Sequence, residues 1–166
     1  MDMTKNIGIA GIGNLLLADE GFGVHVVKFL QDNYSFPANV DIQDIGTAGI
    51  YMAPFLESCD PVLVIDVVDI AGEPGSFHFF TLAEVQAGTF QTRLSPHQLG
   101  LLEILEICKL RDTAPRQVEF FTIVPQELSE GLELSKIAAE RKVEVAEAII
   151  ARLRQLGVPV QRRAAG

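Results

Sequence analysis

The sequence predicts an α/β domain with helices on both faces of a largely parallel sheet. Short apolar runs alternate with amphipathic segments along the 166 residues, as strands and helical crossovers do. Acidic and polar residues follow the apolar runs directly, and ligands bind at that edge of an open α/β sheet. Hydrophobic residues make up 48% of the chain and charged residues 21%, which suits a globular domain with one sizeable core.

The first half of the chain contains three predicted strands, at about residues 6–12, 39–44 and 61–66. The first helix is expected to begin near Glu20, with Asp19 as its N-cap. A second helix follows the glycine-containing turn 46–49 and continues to about residue 58, with Thr47 as the candidate cap. The third strand is apolar almost throughout, which is typical of a parallel strand covered on both faces.

The second half contains two more strands. A parallel crossover needs a dozen or more residues, and the connection 67–75 is shorter, so the strand at 76–80 is predicted to run antiparallel. Residues 82–94 show no regular pattern. A helix follows from Pro96 to about residue 110, then a strand at 117–124 and a helix from Ser135 to about residue 156. We therefore expect one three-layer α/β/α domain over residues 1–166, with a five-stranded mixed sheet and one antiparallel strand.

Charge and cysteine content narrow the function classes. The net charge of -9 argues against a nucleic-acid partner, because such binding depends on many Lys and Arg residues. Cys59 and Cys108 have no spacing typical of metal or redox motifs. No apolar run is long enough to cross a bilayer, and the N-terminus does not resemble a signal peptide. We expect a cytoplasmic protein without membrane insertion.

A cluster of candidate ligands follows from the strand ends. The first loop carries Asp19 and Glu20, the third strand ends at Asp66, and His97 opens a helix. Glu, Asp and His side chains are ligands for a borderline divalent metal. By contrast we expect His25 to be structural.

The glycines of the first loop suggest a competing interpretation. Gly11 and Gly13 follow a strand as the first two glycines of a dinucleotide-binding fingerprint do. Leu16 stands where the third glycine should be, and the acidic pair would repel a pyrophosphate. Nucleotide binding is therefore the weaker hypothesis.

Four blocks of the sequence resemble the maturation endopeptidases of nickel–iron hydrogenases, and they occur in the order and spacing of that family. The blocks are GIGNLLLADEGFGV at 11–24, DIGTAG at 44–49, VID at 64–66 and SPHQLG at 95–100. The resemblance implies a five-stranded mixed sheet with strand order 2-1-3-5-4 and an antiparallel fourth strand. It also implies cleavage of a short C-terminal peptide from the hydrogenase large-subunit precursor after nickel insertion.

The resemblance also assigns candidate site residues. It implies that Glu20, Asp66 and His97 bind a divalent metal and that Asp44 takes part in activity. One departure is that many members have Gly where this chain has Ile45, so a contact that needs bare backbone there is in doubt.

Two mechanisms remain open at this stage. In the first, the protein holds a metal at rest. In the second, which we prefer, the three ligands engage nickel that the precursor already carries. Cadmium or zinc could substitute in the site. Water is the expected nucleophile, with Asp44 or Asp66 as general base. A non-catalytic nickel-sensing or delivery module would use the same ligands and is the rival from another class.

Overall fold

The computed structural model describes residues 4–88 and 94–165. Strands and helices alternate along most of this length. Single 3₁₀ turns at Ala18–Gly21 and Gly49–Met52 precede the first two helices. In chain order the elements are β1 (Asn6–Ile12), α1 (Phe22–Asn33), β2 (Tyr34–Ser35), β3 (Val40–Gly46), α2 (Ala53–Ser58), β4 (Cys59–Val67), β5 (Phe77–Thr81), α3 (Leu82–Gln86), α4 (Pro96–Leu110), β6 (Val118–Ile123), α5 (Lys136–Gln155) and β7 (Gln161–Arg162).

Five of the strands form one mixed sheet in the order β3-β1-β4-β6-β5. Neighbouring strands are parallel except β5, which runs antiparallel to β6. When the two-residue strands β2 and β7 are set aside, this is the order 2-1-3-5-4 that the family resemblance implies. The predicted α/β class and the antiparallel strand after the short 67–75 connection are both confirmed. The strands β2 and β7 pair with each other as a separate antiparallel ribbon.

The sheet is covered on both faces, as a parallel sheet requires. Side chains of alternate residues in β4 belong to two different cores. Leu63 and Ile65 pack with α1 and α5, whereas Val62 and Val64 pack with α2 and α4. Every residue of β4 is buried, so Asp66 lies within a strand that has no solvent-facing side. Its position after Val62 and Val64 directs it towards α4.

Several predicted boundaries and caps need correction. The first helix begins at Phe22 rather than near Glu20, and neither Asp19 nor Thr47 caps the helix that follows it. The 3₁₀ turns occupy the positions where continuous helices were expected. The short helix α3 lies in the stretch 82–94 for which the sequence showed no pattern, and residues 89–93 of that stretch lie outside the described residues. Among the helices of the described residues, none is both long and apolar enough to span a membrane.

The start of α1 lies unusually close to the sheet at Gly23. A methyl group at this position would overlap the backbone carbonyl oxygens of Ile12 in β1 and Ile65 in β4. Because both obstacles are backbone atoms, no side-chain movement can relieve the overlap. Gly23 therefore allows α1 to pack directly over the strand ends that carry the polar residues.

Replacing Gly23 with Ala tests this close approach. We expect Gly23→Ala to lower the free energy of unfolding by more than about 3 kcal/mol, because overpacking against backbone cannot relax locally. The matched control is Gly100→Ala in α4, where an added methyl meets no atom within 4 Å and should stabilise the helix by up to about 1 kcal/mol. Urea unfolding followed by circular dichroism measures both, and equal stabilities would contradict the packing argument.

Candidate functional site

Three of the predicted site residues meet at the carboxyl edge of the sheet. Glu20 lies in the 3₁₀ turn after β1, Asp66 near the end of β4, and His97 in the first turn of α4. The imidazole lies between the two carboxylates. Its Nδ1 is 3.4 Å from Oε1 of Glu20, and its Nε2 is 3.1 Å from Oδ2 of Asp66. The structure therefore brings together Glu20, Asp66 and His97, hereafter the acid–histidine cluster.

Asp66 is the most enclosed member of the cluster, with no exposed surface. The backbone amide of Val67 donates a hydrogen bond of 2.8 Å to Oδ1, and Nε2 of Gln98 donates one of 2.7 Å to Oδ2. Burial raises the pKa of Asp66, and the hydrogen bonds from His97, Val67 and Gln98 only partly oppose that increase. A carboxylate with a raised pKa accepts a proton more readily near neutral pH than an exposed one does.

His97 titrates under two opposing influences. Burial would lower its pKa, but the hydrogen bond to Asp66 and the charges of Asp66 and Glu20 outweigh burial, so the pKa is raised. The imidazolium form is stabilised because a carboxylate faces each ring nitrogen. His97 and Asp66 are in contact, so they titrate as a coupled pair, and the pKa of each is raised.

The Ser-Pro-His-Gln block fixes the start of α4 and thereby the position of His97. Ser95 caps the helix by accepting a hydrogen bond from the Gln98 amide, and the Gln98 side chain accepts one from the Ser95 amide. Pro96 occupies the first turn, where its missing amide hydrogen costs nothing. Gln98 also donates a 2.7 Å hydrogen bond to the carbonyl of Val67. The two capping contacts of Gln98 with Ser95 follow from the S-x-x-Q capping pattern, whereas its contacts with Asp66 and Val67 have no local signal in the sequence.

Glu20 reaches the cluster because the first loop turns tightly at Gly13. This residue has φ of +135°, and a side chain there would overlap the carbonyl oxygen of Glu20. Its amide donates a 3.1 Å hydrogen bond to the carbonyl of Gly46 at the end of β3. The glycine that suggested a nucleotide fingerprint therefore serves to fold the acidic loop back over the sheet edge.

Asp19 has a structural role different from the predicted cap of α1. Its buried carboxylate accepts hydrogen bonds from the amides of Gln126, Glu127 and Ser135 and from the Ser135 hydroxyl, at 2.7–3.0 Å. Asp19 thus joins the acidic loop to the 125–134 loop and to the start of α5. The neighbour of Glu20 is thereby held in one position by contacts with a distant part of the chain.

Asp44 lies apart from the acid–histidine cluster. In the sheet register Asp44 pairs with Gly11, and Gly11 pairs with Ile65, so Asp44 lies on the same face of the sheet as Ile65. Asp66 is the next residue along β4 and points to the opposite face. Asp44 is exposed and lines a groove of about 550 Å³ next to α1.

The acid–histidine cluster opens into a different groove. Its volume is about 470 Å³, and Glu20 and His97 contribute to its lining together with Asn14, Leu17 and Thr47. This groove gives a ligand access to two members of the cluster.

The remaining histidines and both cysteines lie elsewhere in the described structure. His25 is in α1 and His78 is in β5. Cys59 and Cys108 are free and buried, and burial raises the pKa of each thiol. A protonated thiol is a poor nucleophile, so neither cysteine suits covalent catalysis.

The cluster has the right donors for a divalent metal but not a chelating arrangement. Each nitrogen of His97 faces a different carboxylate at hydrogen-bond distance, whereas a metal would need ligand contacts near 2.0–2.2 Å. Within residues 4–88 and 94–165, no group of three or more His, Cys, Asp or Glu side chains is disposed to hold a metal ion. A resident metal therefore does not fit the cluster as it stands.

Comparison with known proteins matches this chain to one family. The model of the hydrogenase maturation protease family matches residues 24–152. The hydrogenase expression/formation protein HoxM of Azotobacter vinelandii is 38% identical over 125 residues, covering 75% of this chain and 60% of HoxM. The hydrogenase 2 maturation protease of Escherichia coli K12 is 33% identical over 152 residues, covering 90% of this chain and 92% of that protein.

A solved structure shows the same architecture. The hydrogenase maturating endopeptidase HybD from Escherichia coli superposes with a TM-score of 0.89 at 30% identity, and the match covers 95% of this chain and 98% of HybD. Relatives differ in length, since the match to this chain spans only about three fifths of the Azotobacter proteins.

The Asp19 contacts give a direct test of how the acidic loop is held. We expect Asp19→Asn to lower the free energy of unfolding by about 3 kcal/mol, because Asn keeps one acceptor oxygen where the buried carboxylate accepts four hydrogen bonds. It should also make the 125–134 loop more susceptible to limited proteolysis. The control is Asp69→Asn, an exposed turn acid whose loss should change stability by less than about 0.5 kcal/mol. Equal effects in the two variants would contradict the assignment.

Proposed function

This chain belongs to the hydrogenase maturation protease family, and from that membership we propose that it is an endopeptidase acting on a nickel–iron hydrogenase. Its substrate is the nickel-loaded large-subunit precursor, from which it removes a short C-terminal peptide. The observation that carries the proposal is the contact of His97 with both Glu20 and Asp66 beside an open groove. Both cysteines are free, which suits action in the reducing cytoplasm.

Nickel is best understood as part of the substrate. The precursor brings the ion, and Glu20, Asp66 and His97 become additional ligands when the precursor enters the groove. Metal binding has to replace the present contacts of these residues with one another, which favours an ion held by the precursor over a resident one. Cadmium or zinc would occupy the same ligands as surrogate ions. A protease that recognises nickel in this way leaves a nickel-free precursor uncut.

Asp66 is the best candidate for the general base of peptide hydrolysis. Asp66 has no exposed surface, so it reaches the attacking water only after the precursor displaces His97. It then takes a proton from water as the water oxygen attacks the scissile carbonyl carbon, and its raised pKa suits it to accept that proton. The carbon–nitrogen bond then breaks, and the proton passes to the leaving amine. Asp44, the alternative base, lies on the other face of the sheet from Asp66 and is less suited to this step.

Two other functions would use the same ligands or the same glycine loop. A non-catalytic nickel-sensing or delivery module would use the same three ligands, but membership of a protease family favours hydrolysis. A dinucleotide fingerprint needs a third glycine for close packing of helix and strand, and this chain has Leu16 at that position. Cleavage of a purified nickel-loaded precursor, observed as a shortened product, distinguishes the protease from both alternatives.

Single substitutions test whether the acid–histidine cluster is required for precursor cleavage. We expect Glu20→Gln, Asp66→Asn and His97→Ala to fold, as judged by circular dichroism, and to lower the rate of precursor cleavage by at least about 10²-fold, as loss of an acid–base group does. Cys59→Ser and Cys108→Ser serve as controls and should keep cleavage, because their thiols are protonated and buried. Full cleavage by all three cluster variants would refute this site.

Metal binding should depend on the protonation of His97. A ligating imidazole must be neutral, and the contacts with Asp66 and Glu20 raise the pKa of His97 above its ordinary value of about 6.5. We therefore expect the affinity for Cd²⁺ to fall as the pH decreases through neutrality and to level off at higher pH. Calorimetric titration measures this dependence.

Two histidine variants complete the metal experiment. His97→Ala should bind Cd²⁺ weakly across this pH range, whereas His78→Ala should behave as the wild type. A wild-type affinity that is independent of pH and equal to that of His97→Ala would show that His97 is not a ligand.

A further inference from the structure

We propose that the groove containing Asp44 is a second substrate subsite, which binds a positively charged side chain of the precursor. The proposal rests on the proposed function and assigns Asp44 a recognition role. In this arrangement the scissile bond lies in the groove of the acid–histidine cluster, and a nearby Lys or Arg of the precursor lies in the groove next to α1.

Residues of two backbone segments, 13–17 and 44–47, line both grooves. These two segments, hereafter the ridge, are joined by the hydrogen bond from the Gly13 amide to the Gly46 carbonyl. Asn14 lines the cluster groove and Leu15 the Asp44 groove, although consecutive Cα atoms are only about 3.8 Å apart. A peptide that crosses the ridge therefore enters both grooves within a few residues.

The Asp44 carboxylate is available for a ligand. It is exposed, and among the described residues its side chain has neither a hydrogen bond nor an ion pair. The side chain of an unpaired carboxylate at the wall of a groove offers two acceptor oxygens, which a guanidinium or ammonium group satisfies best. The groove is therefore suited to a cationic donor.

His25 lines the same groove without adding a positive charge. Burial, followed by the charge of Lys142, lowers the pKa of His25, so its ring is neutral at neutral pH. The ring is hydrogen-bonded to the Leu132 carbonyl, whereas Nε2 is buried without a hydrogen-bond partner. When the other nitrogen donates to a carbonyl, Nε2 is an acceptor. This atom has almost no exposed surface, so a cationic side chain in the groove is bound by Asp44 and not by Nε2.

The rest of the groove fits the stem of such a side chain. Leu15, Val24 and Leu132 form apolar walls, against which the methylene groups of Lys or Arg can pack. Lys28 and Asp32 also line the groove and carry opposite charges. With His25 neutral, Asp44 gives the groove a net negative charge.

Steady-state kinetics with the purified nickel-loaded precursor test the subsite. We expect Asp44→Asn to raise KM about tenfold, the effect of losing one charge-assisted hydrogen bond, and to leave kcat within about threefold. Asp41→Asn is the matched control, since it removes a carboxylate from the same strand that accepts hydrogen bonds from Gln43, and it should leave both constants unchanged. Lys28→Gln should lower KM, because it removes a competing positive charge.

Substitution of the precursor identifies the partner of Asp44. Each Lys and Arg near the cleavage site is replaced singly by Gln. One of these replacements should raise KM for the wild-type enzyme but have no further effect on Asp44→Asn, because both changes remove the same interaction. Binding of the uncleaved precursor to Asp66→Asn, with and without Asp44→Asn, should show the same difference without any contribution from catalysis.

The possible outcomes separate the two proposals. If the wild type neither cleaves nor binds the precursor, the proposed function fails and the subsite fails with it. If the wild type cleaves, but Asp44→Asn leaves KM unchanged or lowers only kcat, the subsite alone is refuted. Additive effects for every precursor replacement would also refute it.

Discussion

The site depends first on the burial of Asp66 inside a strand covered on both faces. An ionisable group in that position is costly unless hydrogen bonds satisfy it. The first turn of α4 supplies two of them, from His97 and Gln98, and the backbone of Val67 supplies the third. The acid–histidine cluster therefore forms only when α4 packs against the sheet. A shift of α4 would expose Asp66 and separate it from His97.

A second constraint positions Glu20. Gly23 lets α1 approach the ends of β1 and β4, Gly13 turns the loop back, and Asp19 attaches it to the 125–134 loop. The cluster thus combines one rigid carboxylate within the sheet with one carboxylate on a tightly held turn. Rigid support of this kind keeps the groups in place when their mutual contacts are replaced by a ligand.

The sequence predicted which residues meet, but not how each is used. Strand ends in a parallel sheet share an edge, so the convergence of Glu20, Asp66 and His97 follows from local patterns and the family resemblance. The face on which Asp44 lies depends on the register between β3 and β1, which no local pattern contains. The role of Asp19 was missed for a similar reason, because its partners are 107–116 residues away in the chain. Contacts of that range leave no periodic signal in the sequence.

The proposed mechanism divides recognition between the two faces of the sheet edge. Nickel alone would have to compete with the His97 contacts that already satisfy both carboxylates. A precursor carrying nickel brings additional contacts, including a cationic side chain for Asp44, and their free energy adds to that of metal coordination. Discrimination between free ions and a nickel-loaded precursor then results from the joint occupation of two grooves. This requires that the grooves remain at a fixed separation, which the hydrogen bond between Gly13 and Gly46 across the ridge helps to maintain.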